Sequence, residues 1–262
     1  MKRFFVLLVS LLFLTSCNFT EEITFNEDGS GEFLMTYDMA EVMNKMKEMG
    51  MDGSSDDEKE PEKMDSIIYF KDIIAERSDS IANLPKEEQE RLMALKDFVM
   101  KMKMDEAEGV FDIGIGTTFE NFDELPELVK KLDEAKKMNS SGAGQMSQLD
   151  NSAVAKASEG ALEKVDFKYD GKTFSRSFNE DIERSKEELE DLKAEMEQMG
   201  EAKDVFETMT YTLVYKFHKK IKTVSNKRAK VDKDRKTVRL KMNFMEMIKA
   251  PEGMNLDVVL ED

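Results

Sequence analysis

Apolar side chains recur at every second position in short runs, and glycine-bearing turns separate those runs in pairs. Residues 23–26 alternate, Asp28-Gly29-Ser30-Gly31 supplies a turn, and Phe33, Met35 and Tyr37 alternate again. Phe98, Met100, Met102 and Met104 share one face, with Lys101 and Lys103 opposite; Glu108-Gly109 turns, and Phe111, Ile113 and Ile115 return. Val165, Phe167 and Tyr169 lead into Asp170-Gly171, and Phe174 and Phe178 lead out. A period of two with a glycine turn between the runs, Asp-Gly in the first and third, specifies antiparallel hairpins, each with one apolar face that another layer must cover.

Helical spacing follows each hairpin. Asp38 can cap a helix striped by Met39, Val42, Met43, Met46 and Met49; Asn121 opens one carrying Phe122, Leu125, Val129 and Leu132; Asn179 opens a long one carrying Ile182, Leu189, Leu192, Met196 and Met199. This last stripe covers fewer than three heptads, so packing on a sheet is favoured over a coiled coil. The order strand–turn–strand–helix thus occurs near 23–49, 98–138 and 165–199. Between the first two copies, spacing predicts a helix from Asp65 or Ser66 with Ile67, Phe70, Ile74 and Ile81 on one side, and another near Pro85 with Leu92 and Leu95. Residues 208–217, 223–231, 236–243 and 255–260 read as an antiparallel meander, interrupted by a methionine-rich helical turn at 244–249 that Pro251 stops. The expected class is α+β: antiparallel hairpins and a C-terminal meander, with helices packed on one face. The expected divisions are a leader over 1–16, a hairpin–helix region over 17–138, a Ser/Gly/Ala-rich linker over 139–163 and a C-terminal region over 164–262. Whether the two regions share one sheet is left open.

The leader and the single cysteine give the cellular address. Lys2 and Arg3 precede an apolar run from Phe4 to Leu14, broken only by Ser10, too short to span a bilayer and right for a secretory signal. Cys17 is the one cysteine in the chain, so no internal disulfide can form and stability must come from packing. Leu14-Thr15-Ser16-Cys17 resembles the bacterial lipobox. The resemblance implies cleavage between Ser16 and Cys17, diacylglycerol on the thiol and a fatty acyl group such as palmitate on the new amine. Two or three acyl chains make a permanent anchor, at about 0.8 kcal/mol per buried methylene. Asn18 is not the aspartate that retains lipoproteins in an inner membrane, and Glu21-Glu22 resembles the acidic export signal of Bacteroidota lipoproteins. The outer membrane is therefore expected, with the periplasmic and surface faces both open.

Loss of Lys2 and Arg3 leaves 37 basic against 56 acidic residues, a net charge of −19. Such a body is repelled by nucleic acid and by anionic surfaces. The charge is uneven. Residues 216–241 hold twelve Lys or Arg and two acids, and residues 180–207 hold twelve acids and four bases. Mutual neutralisation of these segments is the favoured expectation. The alternative is a basic hairpin whose Lys219, Lys220, Lys222, Arg228 and Arg239 grip anionic headgroups or polysaccharide.

Chemistry-bearing motifs are sparse. Asn26, Asp28 and Ser30 mimic the start of a calcium loop, but Tyr37 stands where the bidentate Glu is required, so a turn is expected. His218, the only histidine, lies between Phe217 and Lys219 and reads as a surface strand histidine. No nucleophile elbow, zinc-protease helix or phosphate loop occurs. No catalytic residue, metal or cofactor is expected. The 21 methionines read first as plastic core, second as the lining of an adaptable pocket and last as copper ligands.

The Leu14–Cys17 box, the run Ile23-Thr24-Phe25-Asn26-Glu27-Asp28-Gly29-Ser30-Gly31, and the closing strands Thr237–Phe244 and Leu256–Leu260 resemble Bacteroidota lipoproteins of no assigned activity. The early Asp-Gly hairpin and late meander behind a lipobox are similar to the LppM-like mycobacterial lipoproteins, a family associated with lipid binding. The resemblance transfers no site residues. The expected function is a non-enzymatic, lipid-anchored envelope protein that binds or scaffolds another envelope component. The second expectation is a carrier of lipid or another apolar ligand, with a pocket lined by Met35, Met100, Met102 or Met196. The third is an envelope enzyme.

Overall fold

Ile23 and Phe25 point inward from a strand that starts at Asn18, and everything in the fold is arranged around it. In a computed structural model, which describes residues 18–40, 63–131, 164–179, 190, 194 and 208–262, this strand is β1 (Asn18–Phe25). The leader, Ser16, Cys17, the expected helix over 41–49, the expected linker over 139–163 and nearly all of the helix expected after Asn179, Met196 included, lie outside the described residues. The remaining elements are β2 (Gly31–Asp38), β3 (Lys63–Tyr69), α1 (Phe70–Glu76), α2 (Ser78–Ala82), α3 (Lys86–Ala94), β4 (Phe98–Asp105), β5 (Val110–Phe119), η1 (Phe122–Glu124), β6 (Val165–Tyr169), β7 (Thr173–Phe178), β8 (Thr210–Lys216), β9 (Ile221–Val224), β10 (Lys230–Val231), β11 (Thr237–Asn243), α4 (Phe244–Lys249), η2 (Pro251–Met254) and β12 (Leu256–Leu260).

The strands form an eight-stranded sheet, β10-β11-β8-β1-β2-β5-β4-β3, and a four-stranded one, β6-β7-β12-β9. The fold is α+β, with mostly antiparallel strands in two sheets and a few short helices. The three expected hairpins are β1–β2, β4–β5 and β6–β7, closed by turns in which Gly29 (φ +90°), Gly109 (φ +62°) and Gly171 (φ +84°) take left-handed backbone. In the first turn Asp28 accepts from the Ser30 amide (3.0 Å) and hydroxyl (2.6 Å), and these bonds hold its carboxyl below the ordinary carboxylate range. The residues that mimic a calcium loop are occupied in making the turn.

Three expectations are corrected. Residues 63–69 form strand β3, not the first turns of a helix. Met64, Ser66 and Ile68 lie opposite Met104, Met102 and Met100, and this cross-strand pairing overrides helical spacing until Phe70. The closing strands are not one meander: β8, β10 and β11 join the larger sheet, whereas β9 and β12 join the smaller. Between β9 and β10 the chain crosses from one sheet to the other at a turn. There Asn226 Nδ2 donates to the carbonyls of Gly253 (3.0 Å) and Asn255 (2.9 Å). His218 stands just past β8 rather than inside a strand, and among the described residues its Nδ1 is buried with no partner. β1 also pairs in parallel with β8, from Asn18↔Thr210 to Thr24↔Lys216, a pairing between residues almost two hundred positions apart.

The smaller sheet covers the inner face of β1 and its neighbours. Phe174 of β7 meets Phe25 (5.6 Å between ring centroids) and Tyr215 (4.8 Å), and Phe217 stacks on Phe25 at 4.9 Å. Phe119, Phe122 and Tyr169 complete the aromatic centre. Rings in edge-to-face and offset contact fill the inter-sheet space in the geometry aromatic pairs prefer.

Candidate functional site

The end of the sheet where β1 begins carries the address of the molecule. Cys17 is bonded to Asn18, so the two Cα atoms are about 3.8 Å apart. Asn18 already belongs to the sheet, between β2 and β8, and no spacer separates the cysteine from the folded body. Register places Thr210 and Asn243 level with Asn18 on one side. On the other side lie Asp38, Asp112, Lys103 and Asp65, and Asn18 Nδ2 donates to Asp38 at 3.4 Å. Burial, and then the neighbouring Asp38 charge, raise the Asp112 carboxyl above its ordinary value.

One turn of pleat into the body sits the only acid of β1 that faces inward. Glu21 is fully buried, in phase with Ile23 and Phe25, and Arg176 of β7, 5% exposed, comes from the opposite sheet to meet it. Arg176 Nε and Nη2 donate to the two Glu21 oxygens at 3.2 Å each, and Nη1 donates to the Met254 carbonyl at 3.2 Å. The Tyr211 hydroxyl donates to Glu21 Oε2 at 2.7 Å and the Tyr215 hydroxyl donates to Oε1. Burial, and then the Glu21 charge, push both phenols well above their usual range, which keeps them protonated donors. Burial works against the Arg176 charge, but Glu21 and the two phenols outweigh it and raise the guanidinium. The carboxylate with its four donors is a closed polar clasp between the sheets. Next to it Lys164, Val165, Phe178, Met247 and Pro251 border a small cavity of about 30 Å³. The sequence held a signal for this clasp: opposite charges at inward positions of two alternating strands, Glu21 beside Ile23 and Arg176 between Phe174 and Phe178.

Toward the β3 edge the inner face of the larger sheet runs beyond the smaller sheet. Register aligns Met35, Ile115, Met100 and Ile68 in one row across β2, β5, β4 and β3. Tyr37, Ile113, Met102 and Ser66 form the next, and Phe111, Met104 and Met64 the last, nearest the β4–β5 turn. Exposure rises along the first row from 4% at Met35 to 38% at Ile68. Met35 belongs to the core, with its sulfur 4.0 Å from the Tyr211 hydroxyl oxygen; Met100, Met102 and Met104 are half-buried on an open apolar face. Met35, Met100 and Met102 thus share a face but line no internal pocket among the described residues.

The basic candidates are dispersed. Arg239 on β11 pairs with Asp232 (2.9 Å), and Arg228 in the turn after β9 pairs with Glu246 (2.7 Å). Lys219 and Lys220 lie in the bend between β8 and β9, and Lys222 is on β9. Lys172 holds the Asp262 carboxyl below its usual range, with smaller help from Lys222 and Lys219. The acidic segment expected to offset these cations lies outside the described residues; among those described, acids of the body pair with several of the cations, Lys216 with Glu22 (2.8 Å) included.

Residues 1–18 match the prokaryotic membrane lipoprotein lipid attachment site. No curated protein matches the chain. Among solved structures, the chain is similar to the folded domain of the Mycobacterium tuberculosis LppM protein, determined by NMR. That match has 9% identity and a TM-score of 0.35, over 96% of this chain and 94% of that one. No helix among the described residues is long and apolar enough to cross a membrane. The matched signal makes this chain a lipoprotein of the prokaryotic envelope, held to a membrane by lipid on Cys17.

Proposed function

We propose that this lipoprotein is a non-catalytic module of the outer membrane that binds or scaffolds another envelope component through the open methionine face of β3, β4 and β5. The observation that carries the reading is the graded row Met35–Ile115–Met100–Ile68, with Ile113 and Met102 in the row beside it. Unbranched, polarisable side chains on a half-covered sheet adapt to partners of varied shape. The non-catalytic part is supported by the clasp: both oxygens of the buried Glu21 are taken up by Arg176 and two phenols inside the body. Carriage of a lipid inside the body draws less support, because aromatic rings fill the space between the sheets.

The test is affinity capture of the intact lipidated protein from membranes, with mass spectrometry of proteins and lipids, comparing the native chain with Met102→Glu and Ile68→Lys. A bound component that the native chain recovers and both variants lose supports the reading. Identical recoveries, or recovery of nothing, would refute it; an apolar lipid retained by all three would point to a carrier instead.

A further inference from the structure

The β4–β5 hairpin reaches past the point where the lipid is attached. Asn18 is level with Asp112 and Lys103, yet β4 continues to Asp105 and β5 begins at Val110. Each strand therefore extends two residues beyond Asn18, about 7 Å at the usual strand rise, of which Cys17 can take up one residue length, before the turn over 106–109 is counted. Lys63 and Met64 of β3 share this overhang, Lys63 bonding Asp105 at 2.7 Å. The inner face of the overhang is apolar: Met64, 38% exposed, with Met104 and Phe111 half-buried.

We propose that the anchor end is a membrane-seating surface, with Met64, Met104 and Phe111 resting in the headgroup layer of the bilayer that holds the Cys17 lipid. The inference rests on lipid attachment at Cys17. With no residue between Cys17 and the sheet, the body cannot lift away from the bilayer by more than the lipid glycerol allows, so anything that projects past Asn18 meets headgroups. The partner is a zwitterionic surface. Among the described residues the rim carries Asp38, Asp65, Asp112, Glu106 and Glu108 against Lys103 and the Lys63–Asp105 pair, an acidic balance that suits the ammonium groups of ethanolamine or choline lipids and repels anionic ones. Seating fixes orientation: the hairpin turns at Asp28-Gly29 and Asp170-Gly171 and the bend at Lys219-Lys220 then face away from the membrane, and the methionine face stands upright beside it.

The chain contains no tryptophan, so single reporters are unambiguous. Ala107→Trp places one in the exposed β4–β5 turn, Glu106→Trp gives a second at the same tip, and Lys233→Trp marks the opposite end. Each lipidated full-length variant is reconstituted in phosphatidylethanolamine–phosphatidylcholine vesicles with acyl-brominated lipid, and vesicle flotation is scored in the same samples. The expected result is flotation of all three, with tip reporters blue-shifted and quenched several-fold more than Lys233→Trp. Flotation with equal quenching at both ends overturns the seating and leaves the anchor standing. Failure to float removes the anchor and the seating together.

Discussion

Glu21 and Arg176 set the sharpest residue-scale expectations. A buried ion pair is expensive to break from one side, because the remaining charge has no water to return to. Arg176→Met is expected to destabilise the protein by about 3–5 kcal/mol in urea unfolding, whereas adding Glu21→Leu should recover most of that loss. A double variant as unstable as the single one would mean that the clasp contributes more than mutual neutralisation. Asp112 gives a pH-dependent expectation. Burial and the facing Asp38 raise its carboxyl in the folded state, so folding favours the protonated form. The destabilisation is therefore present at neutral pH and is lost as pH falls through the carboxylate range. Asp112→Asn should be more stable than the native chain at pH 7 by ~0.5 kcal/mol, the scale of a like-charge cross-strand pair. That advantage should shrink toward zero near pH 4; a gap that does not change with pH would count against the Asp38 contact. The clasp was partly legible in the sequence, since Glu21 and Arg176 both stand in the inward phase. What the sequence lacked was the pairing of β1 with one sheet and β7 with the other.

At the scale of elements, legibility followed distance along the chain. The hairpins over 23–37, 98–115 and 165–178 could be read because alternation and turn glycines are local. Strand β3 could not, because Ile67, Phe70 and Ile74 fit a helical face and the β4 residues that capture Met64, Ser66 and Ile68 lie more than thirty positions on. The division of the closing strands between two sheets was also hidden, since the chain changes sheet after β8, after β9 at Asn226 and after β11, and periodicity marks none of these crossings. The half-exposed methionine face was visible as an alternating run, but its exposure depends on how far the smaller sheet extends. One glycine on this wing has a structural reason that alternation alone does not disclose. A Cβ at Gly116 would stand 2.0 Å from the Phe33 carbonyl oxygen, against backbone that cannot swing aside. Gly116→Ala is expected to cost about 1–3 kcal/mol by overpacking the β2–β5 ladder, while Ile67→Lys, on the exposed β3 edge, should change stability by less than ~0.5 kcal/mol. Urea melts of the two variants check both, and an equal cost would mean that the edge is covered.

The molecule as a whole is tied together by its least local strand pairing. β1 lies between β2, its immediate successor, and β8, which begins at residue 210, so the larger sheet cannot form until both ends of the chain have met. Such a topology closes a long loop before it gains the contacts that reward closure, which slows folding and makes it cooperative. The clasp adds a second long tie, from Glu21 to Arg176, across the sheets. Amides of β1, β2, β8 and β11 are therefore expected to exchange with solvent hydrogen through one shared global opening, at a common and slowest rate. The helices over 70–94, with no fully buried side chain in α1 or α2, should open earlier and separately. Hydrogen-exchange mass spectrometry of the lipidated protein measures this directly. If β1 and β2 exchanged together but faster than β8 and β11, the N-terminal hairpin would be a separable unit and the lipid would hold only part of the body. If all four strands exchange as one, the lipid on Cys17 holds the whole body by the strand its stability depends on most.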